Sequence, residues 1–344
     1  MTTAPRSLSG QHEVATVMSA IAYSQIARPG ELTEIGKGGE GRVFTIRSMP
    51  GMVYKEFVEF PGHTPSRSAL EELMNLLQQM TPDEQTWLAD RTTWPQTMVI
   101  DGNKMKGFLM PLIGQQYFRK YGIRANPKNV ACEWNYLSMR SKYEANKNIY
   151  SEVPRLTPFG AFTAVVDLCK TMTILHKYNI VIGDMSGRNL LWTDAPSLRV
   201  MIIDCDSFHP EGKVGVSPPK QSPDWEDPSL TTPLTTIQSD IYKLGLAAYR
   251  AIWAATTDRP LAGNKPIPSV TDGVPEVVRS LIERSVGTGP RPTAQEWVDN
   301  LKQAVAFSGR PAIAIDNSGK ISRPAPDYSK EIPRGPRPVI QMRD

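Results

Sequence analysis

Between residues 31 and 113 the hydrophobic positions come in short runs broken by Gly, Pro, Asn and Asp. Val43-Phe44-Thr45-Ile46 and Met52-Val53-Tyr54 are β-branched or aromatic runs on either side of Ser48-Met49-Pro50-Gly51. That pattern predicts two strands joined by a turn. Met98 to Ile113 reads as a second hairpin, with Asp101-Gly102-Asn103 at its tip. Two stretches have helical spacing instead. Ser68 to Met80 sets Leu70, Leu73, Leu77 and Met80 on one face, and Gln11 to Ala27 does the same with Val14, Val17, Met18 and Ile21 before Pro29-Gly30 ends it. The Gln11 to Ala27 helix is expected to pack on the domain that follows.

Beyond residue 157 the helical stripes are longer. Pro158 opens one containing Phe159, Phe162, Val165, Val166, Cys169, Met172 and Leu175, which runs into His176, expected to be structural. Three short apolar segments follow, ending at Ile182, starting at Leu190, and covering Val200 to Ile203; they read as buried strands. Ser239-Asp240 then opens another helix, and Thr293 is expected to cap a final one through Gln303.

The strand ends carry the candidate chemistry. Asp184 and Asn189 lie five residues apart between two apolar segments, and Asp204 ends the next. A carboxylate and a carboxamide suit Mg²⁺, which takes oxygen ligands and shares them with phosphate. The remaining carboxylate is free to orient a hydroxyl. Upstream, Gly36, Gly38, Gly41 and Val43 form G-x-G-x-x-G-x-V, in which backbone N–H groups can approach phosphate closely. A dinucleotide fingerprint requires a helix directly after the glycines. Here a strand follows, and Lys55 lies on the one after it.

In this order the motifs resemble the eukaryotic-type (Hanks-like) protein kinase superfamily, over roughly residues 31 to 305. Departures within them look like an atypical bacterial or phage-encoded member. The resemblance implies an α+β, bilobal, protein kinase-like fold with a small β-rich N-lobe and a larger helical C-lobe. It divides the chain into an N-terminal extension (1–30), an N-lobe (31–113), a C-lobe (114–307) containing an insert (115–156), and an extended tail (308–344). It implies that the glycine loop and Lys55 hold ATP, that Asn189 and Asp204 hold Mg²⁺, and that Asp184 accepts the proton of the acceptor hydroxyl. A glutamate of the Ser68 to Met80 helix, Glu71 or Glu72 and by its flanking leucines Glu72, would pair with Lys55. Met110 to Ile113 would line the adenine pocket, where Pro111 has no N–H to offer. Asp240 would hold the backbone of the Asp184 loop, and Gly289-Pro290-Arg291-Pro292-Thr293 resembles the segment that opens the family's last helix.

Several positions depart from the family pattern. Gly183 replaces the arginine that binds a phosphorylated activation loop, and Ser186 replaces a lysine. Arg188 is placed to supply the missing positive charge at the transferring phosphate. Asp204-Cys205-Asp206 stands for Asp-Phe-Gly. Asp206 is expected to cap the following turn rather than to bind metal, and loss of the glycine makes the segment less able to flip. Asp227-Pro228-Ser229 falls near the family's Ala-Pro-Glu, so that the glutamate is absent or displaced to Glu226.

Composition narrows the partners. The 344 residues carry 39 Lys and Arg against 35 Asp and Glu, and a net +4 is too small to argue for nucleic acid. Three cysteines without a C-x-x-C pair suggest neither a disulfide framework nor a zinc site, and fit a reducing compartment. No apolar run approaches the ~20 residues of a membrane span, and no secretory signal is visible, so a cytoplasmic location without membrane contact is expected. The insert bears Arg119, Lys120, Arg124, Lys128, Arg140, Lys142 and Lys147 among Tyr and Trp. It is expected to be a solvated helical insertion, with substrate docking as the alternative. The proline-rich tail, which includes Tyr328, is expected to be extended. The expected function is Mg·ATP-dependent phosphorylation of protein hydroxyls, Ser or Thr preferred. The alternatives are a nucleotide-responsive pseudokinase, or a kinase-fold enzyme acting on a small molecule or transferring the nucleotide.

Overall fold

The computed structural model describes residues 20–39, 41–58, 64–123, 125–138, 154, 156–253 and 276–308. Its first elements are β1 (Ala20–Ala22), α1 (Tyr23–Ile26), β2 (Leu32–Lys37), β3 (Gly41–Ile46), β4 (Met52–Phe57), α2 (Arg67–Gln78), α3 (Pro82–Ala89), β5 (Thr97–Asp101) and β6 (Lys104–Pro111). The strands make one six-stranded sheet in the order β1-β5-β6-β4-β3-β2. Alternation along β4 decides its faces. Val53 and Phe57 join Val43, Phe108, Met110 and Leu70 of α2 in one cluster, whereas Tyr54 joins Phe44, Ile46 and Leu109 on the other face. Lys55 shares the parity of Val53 and Phe57, so it points toward the α2 face. Its register partners are Val43 on β3 and Phe108 on β6.

The second half contains β7 (Phe118–Tyr121), β8 (Lys128–Ala131), α4 (Pro158–Lys177), β9 (Ile180–Val181), β10 (Leu190–Thr193), β11 (Arg199–Ile202), β12 (His209–Pro210), α5 (Ile237–Trp253), α6 (Val277–Val286) and α7 (Ala294–Ser308). The apolar stripes of α4 and α5 meet those of α6 and α7 in a large core that buries Trp134, Trp192 and Trp297. All three indoles keep their N–H satisfied, Trp134 on the Ala247 carbonyl at 2.9 Å, Trp192 on the Glu133 carbonyl at 3.3 Å and Trp297 on the Ser285 hydroxyl at 3.1 Å. Thr293 caps α7, accepting from the Glu296 N–H at 3.0 Å. The β-rich first half and helical second half form the bilobal, kinase-like α+β architecture that the resemblance implies. Among the described residues no helix is long and apolar enough to cross a membrane.

Two local expectations are corrected. Within Gln11 to Ala27, Ala20–Ala22 is a strand paired parallel to β5, Ala20 opposite Met98, and only Tyr23–Ile26 is helical. The free edge of β5 offers these residues backbone partners, and that outweighs a short helical stripe. Val14, Val17 and Met18 lie outside the described residues. Where it is described the insert is not α-helical: short 3-10 turns at Gln115–Tyr117 and Trp134–Ser138 flank a pair of strands. β7 and β8 form a hairpin, Phe118 opposite Ala131, and Tyr117 and Phe118 pack under Leu191 and Met201. Arg124, 139–153 and the tail beyond 308, with Tyr328, lie outside the described residues.

The junction between α3 and α4 supplies a stability test. Thr81 and Glu84 form a capping box at the start of α3, and the Glu84 carboxylate also accepts from Lys177 at 2.7 Å and Tyr178 at 2.8 Å. The Lys177 contact first, then the Thr81 N–H and Tyr178, lower the Glu84 pKa to about 2 from 4.5. A depressed carboxylate contributes stability above its unfolded pKa and loses it as pH falls through the folded one. Glu84→Gln is therefore expected to cost ~1 kcal/mol at neutral pH. In urea titrations the gap to wild type should close as pH drops from 4.5 toward 2.

Candidate active site

The loop between β9 and β10 carries Asp184 and Asn189, and Asp204 follows β11. Pairing of β10 with β11, Leu190 opposite Ile202, brings the ends of both strands together. The Ile203 N–H donates to the Asn189 carbonyl at 2.9 Å, which sets Asn189 beside Asp204. The Asn189 amide nitrogen donates to the Asp184 carbonyl at 2.8 Å and lies 3.4 Å from its carboxylate Oδ2. That leaves the amide oxygen of Asn189 as its acceptor. Asp204 has a left-handed backbone, φ 58°.

A buried foundation lies under the loop. Asp240, fully buried near the start of α5, accepts from the N–H of Ile182 at 2.7 Å and of Gly183 at 3.3 Å, with His176 Nε2 at 3.3 Å. One turn later on the same face, buried Lys243 donates to the Gly183 carbonyl at 2.5 Å. Burial lowers its pKa, opposed by the charges of Asp240 and Asp184. A lysine three residues after Asp240 on an apolar helix was the sequence signal for this contact. Gly183 has φ 78°, and a Cβ there would lie 2.7 Å from the Ser207 carbonyl oxygen. The arginine of the family pattern has no room here. Gly187 is equally confined, since its Cβ would fall 1.9 Å from Asn135 Oδ1, a neighbour the sequence did not reveal.

Lys55 reaches this loop from the sheet. Its Nζ lies 3.2 Å from Asp204 Oδ1 and 2.7 and 2.9 Å from the two oxygens of Asp206. Asp206 is therefore a buried partner of the lysine, not a cap of its own turn. An ammonium at hydrogen-bond distance offers a buried carboxylate more than local N–H groups do. Glu72 is not brought to Lys55. It pairs with Lys213 at 2.5 Å, and Glu71 pairs with Arg67 at 2.9 Å, both in solvent-accessible positions.

The other sequence-predicted residues divide. Gly36 lies on β2 opposite Val43, Gly38 follows that strand and Gly41 opens β3, with the Gly38 N–H on the Gly41 carbonyl at 2.8 Å. Val43 and Met110 share the cluster on the Lys55 face, while Ile113 packs with Tyr117, Phe118, Leu191 and Met201. Arg188 is exposed. Asp227 forms a two-pronged pair with Arg291, one contact at 2.9 Å. Burial raises the Asp227 pKa, but hydrogen bonds from Arg291 and Ser229 outweigh it and hold the group below its ordinary value.

Ser222 is a further residue that sequence reasoning missed. Its N–H and its hydroxyl both donate to Asp184 Oδ1, each at 2.9 Å. The cavity lined by Asp184, Asp204, Asp206 and residues of the segment from Gly215 to Lys220 has a volume of about 50 Å³. That is far below the ~300–1,000 Å³ of a small-molecule site. Among the described residues no group of three or more His, Cys, Asp or Glu is arranged to hold a metal. The oxygens of Asn189 and Asp204 nevertheless fit Mg²⁺, which takes one or two protein oxygens and completes its shell with phosphate and water.

No family model matches the chain. Curated proteins do. The chain is 24% identical over 362 residues to Protein kinase YegI of Escherichia coli strain K12, covering 85% of this chain and 50% of that protein. It is 24% identical over 365 residues to the protein of the same name in Escherichia coli O157:H7, covering 87% and 50%. The chain thus spans about half the length of the curated relatives it matches. With the bilobal fold already described, these matches indicate a distant, kinase-like relationship.

Proposed function

We propose that this protein is a Mg·ATP-dependent protein kinase of an atypical bacterial or phage-encoded type, acting on serine or threonine hydroxyls. The observation that carries the reading is the meeting of Lys55, from the sheet, with Asp204 and the Asp184–Asn189 loop, from the other half of the chain. A lysine, two metal-suited oxygens and a hydroxyl-binding carboxylate are what phosphoryl transfer requires. Residues 31–113 form the nucleotide-holding lobe and 114–307 the acceptor lobe, flanked by an extension (1–30) and a tail (308–344). Three free, buried cysteines suit a cytoplasmic protein.

The roles follow from the chemistry. The segment of Gly36, Gly38 and Gly41 and the Lys55 ammonium bind phosphate oxygens, and Val43, Met110 and Ile113 take the adenine. Asn189 and Asp204 hold the divalent cation, which when bound neutralises charge between the phosphates. Asp184 orients the acceptor hydroxyl and receives its proton. The bond from that oxygen to the γ-phosphorus forms as the bond to the departing ADP breaks. Asp184 already accepts one hydroxyl hydrogen bond, from Ser222. Exposed Arg188 contributes positive charge to the transferring group.

Incubation with γ-labelled ATP and Mg²⁺, with and without an acceptor protein, tests this. Wild type is expected to transfer label and Lys55→Ala to lose at least ~10²-fold, since a phosphate-clamping charge acts most strongly in the transition state. Mass spectrometry of the product separates phosphate from AMP. Nucleotide binding without transfer to any acceptor would instead identify a binding module.

A further inference from the structure

Lys55 is held by two carboxylates that differ in setting. Its side chain is 4% exposed, as is that of Asp206, whereas Asp204 is 33% exposed. One positive and two negative charges leave the cluster net negative, which favours a divalent cation, and the accessible carboxylate is the one able to reach it. Were Asp204 to ligate a divalent cation, Asp206 would stay with the lysine, because a buried carboxylate stripped of its cation is strongly disfavoured.

The turn carrying Asp206 is itself anchored. The Ser207 N–H donates to the Asp204 carbonyl at 3.1 Å and the Phe208 N–H to the Cys205 carbonyl at 3.0 Å. The Ser207 hydroxyl donates to the Ile182 carbonyl at 2.8 Å, two residues from Asp184. Meanwhile the glutamates of α2 pair with Arg67 and Lys213.

We propose that Asp206, rather than a glutamate of α2, is the positioning residue that holds Lys55 in its nucleotide-binding pose. This rests on the kinase reading and adds a regulatory consequence. The lysine is locked to the turn beside the Asp184 loop, so displacement of α2 leaves it aligned.

A double-mutant cycle on nucleotide affinity tests the idea, using a fluorescent ATP analogue with Mg²⁺. Asp206→Asn is expected to weaken binding about ten-fold, the effect of losing a charged hydrogen bond. On a Lys55→Met background the same change should add less than about two-fold, because the coupling is gone. Exposed Glu72→Gln and Lys213→Ala should each stay within about two-fold of wild type. Near-UV circular dichroism checks that Asp206→Asn folds. Equal losses from Asp206→Asn with and without Lys55 would overturn the proposal. So would a ten-fold loss in Glu72→Gln, a result that does not depend on how the Asp206 variant folds. Wild type that binds nucleotide but transfers no phosphate removes the kinase chemistry and leaves this cycle readable. Wild type that binds no nucleotide removes both.

Discussion

Asp184→Asn is expected to lower phosphoryl transfer by ~10²–10⁴-fold at saturating ATP, the usual contribution of a positioned proton acceptor. Nucleotide affinity should stay within about two-fold, because the group acts on the acceptor and not on ATP. The change is nearly isosteric. An amide oxygen still accepts from the Ser222 N–H and hydroxyl, and the Asn189 contact to the backbone carbonyl at residue 184 is untouched. What the amide cannot do is take a proton. Label-transfer kinetics at saturating acceptor, beside equilibrium nucleotide binding, separate the two quantities. Wild-type turnover in this variant would remove Asp184 from the mechanism.

The largest stability effect is expected from Arg291→Ala. The side chains of Arg291 and Asp227 are 7% and 0% exposed. Arg291 also donates to the Gln238 carbonyl at 2.8 Å and lies over the Tyr242 ring. Removing it leaves a buried carboxylate without its cation, a loss of ~3–5 kcal/mol. Urea unfolding at neutral pH measures it. The pH dependence carries a sign. In wild type the Asp227 pKa is held below 3.8, so its contribution persists above that value and fades as pH falls through the folded pKa. In the variant the Ser229 hydrogen bonds remain, but burial, the largest influence on the group, is no longer opposed by Arg291, so the pKa rises relative to wild type and acid lessens the penalty. The two stabilities should converge toward low pH. A gap that stays constant would mean that Arg291 acts through packing alone.

Much of the site was legible because its residues are tied to local patterns. Gly36 to Val43 and Lys55 lie on adjacent strands whose apolar runs are unmistakable, and Asp184 and Asn189 sit on one short loop between two buried segments. Asp240 was legible for the same reason, at the start of a strongly apolar helix. Glu72 was misassigned because two adjacent glutamates and a leucine pattern say which face of a helix is buried, not which distant cation is nearest. Lys213, 141 residues away, takes it. Asp206 was misread as a local cap because local bonds are all that a sequence window displays.

The chain's pattern of apolar and polar positions by itself determined most of the strands and helices, the strand that carries Lys55, and the spacing of Asp184, Asn189 and Asp204. These follow from periods of two and 3.6 residues and from turn chemistry, which act over a few residues. Only the tertiary structure decided the polar partners: Asp206 for Lys55, Asp227 for Arg291, Lys243 beneath Gly183, Ser222 on Asp184. It also decided that Ala20–Ala22 joins the sheet. The physical reason is range. A charge or an unpaired backbone group is satisfied by whatever packing brings within about 3 Å, and which residue that is depends on how the whole chain is folded.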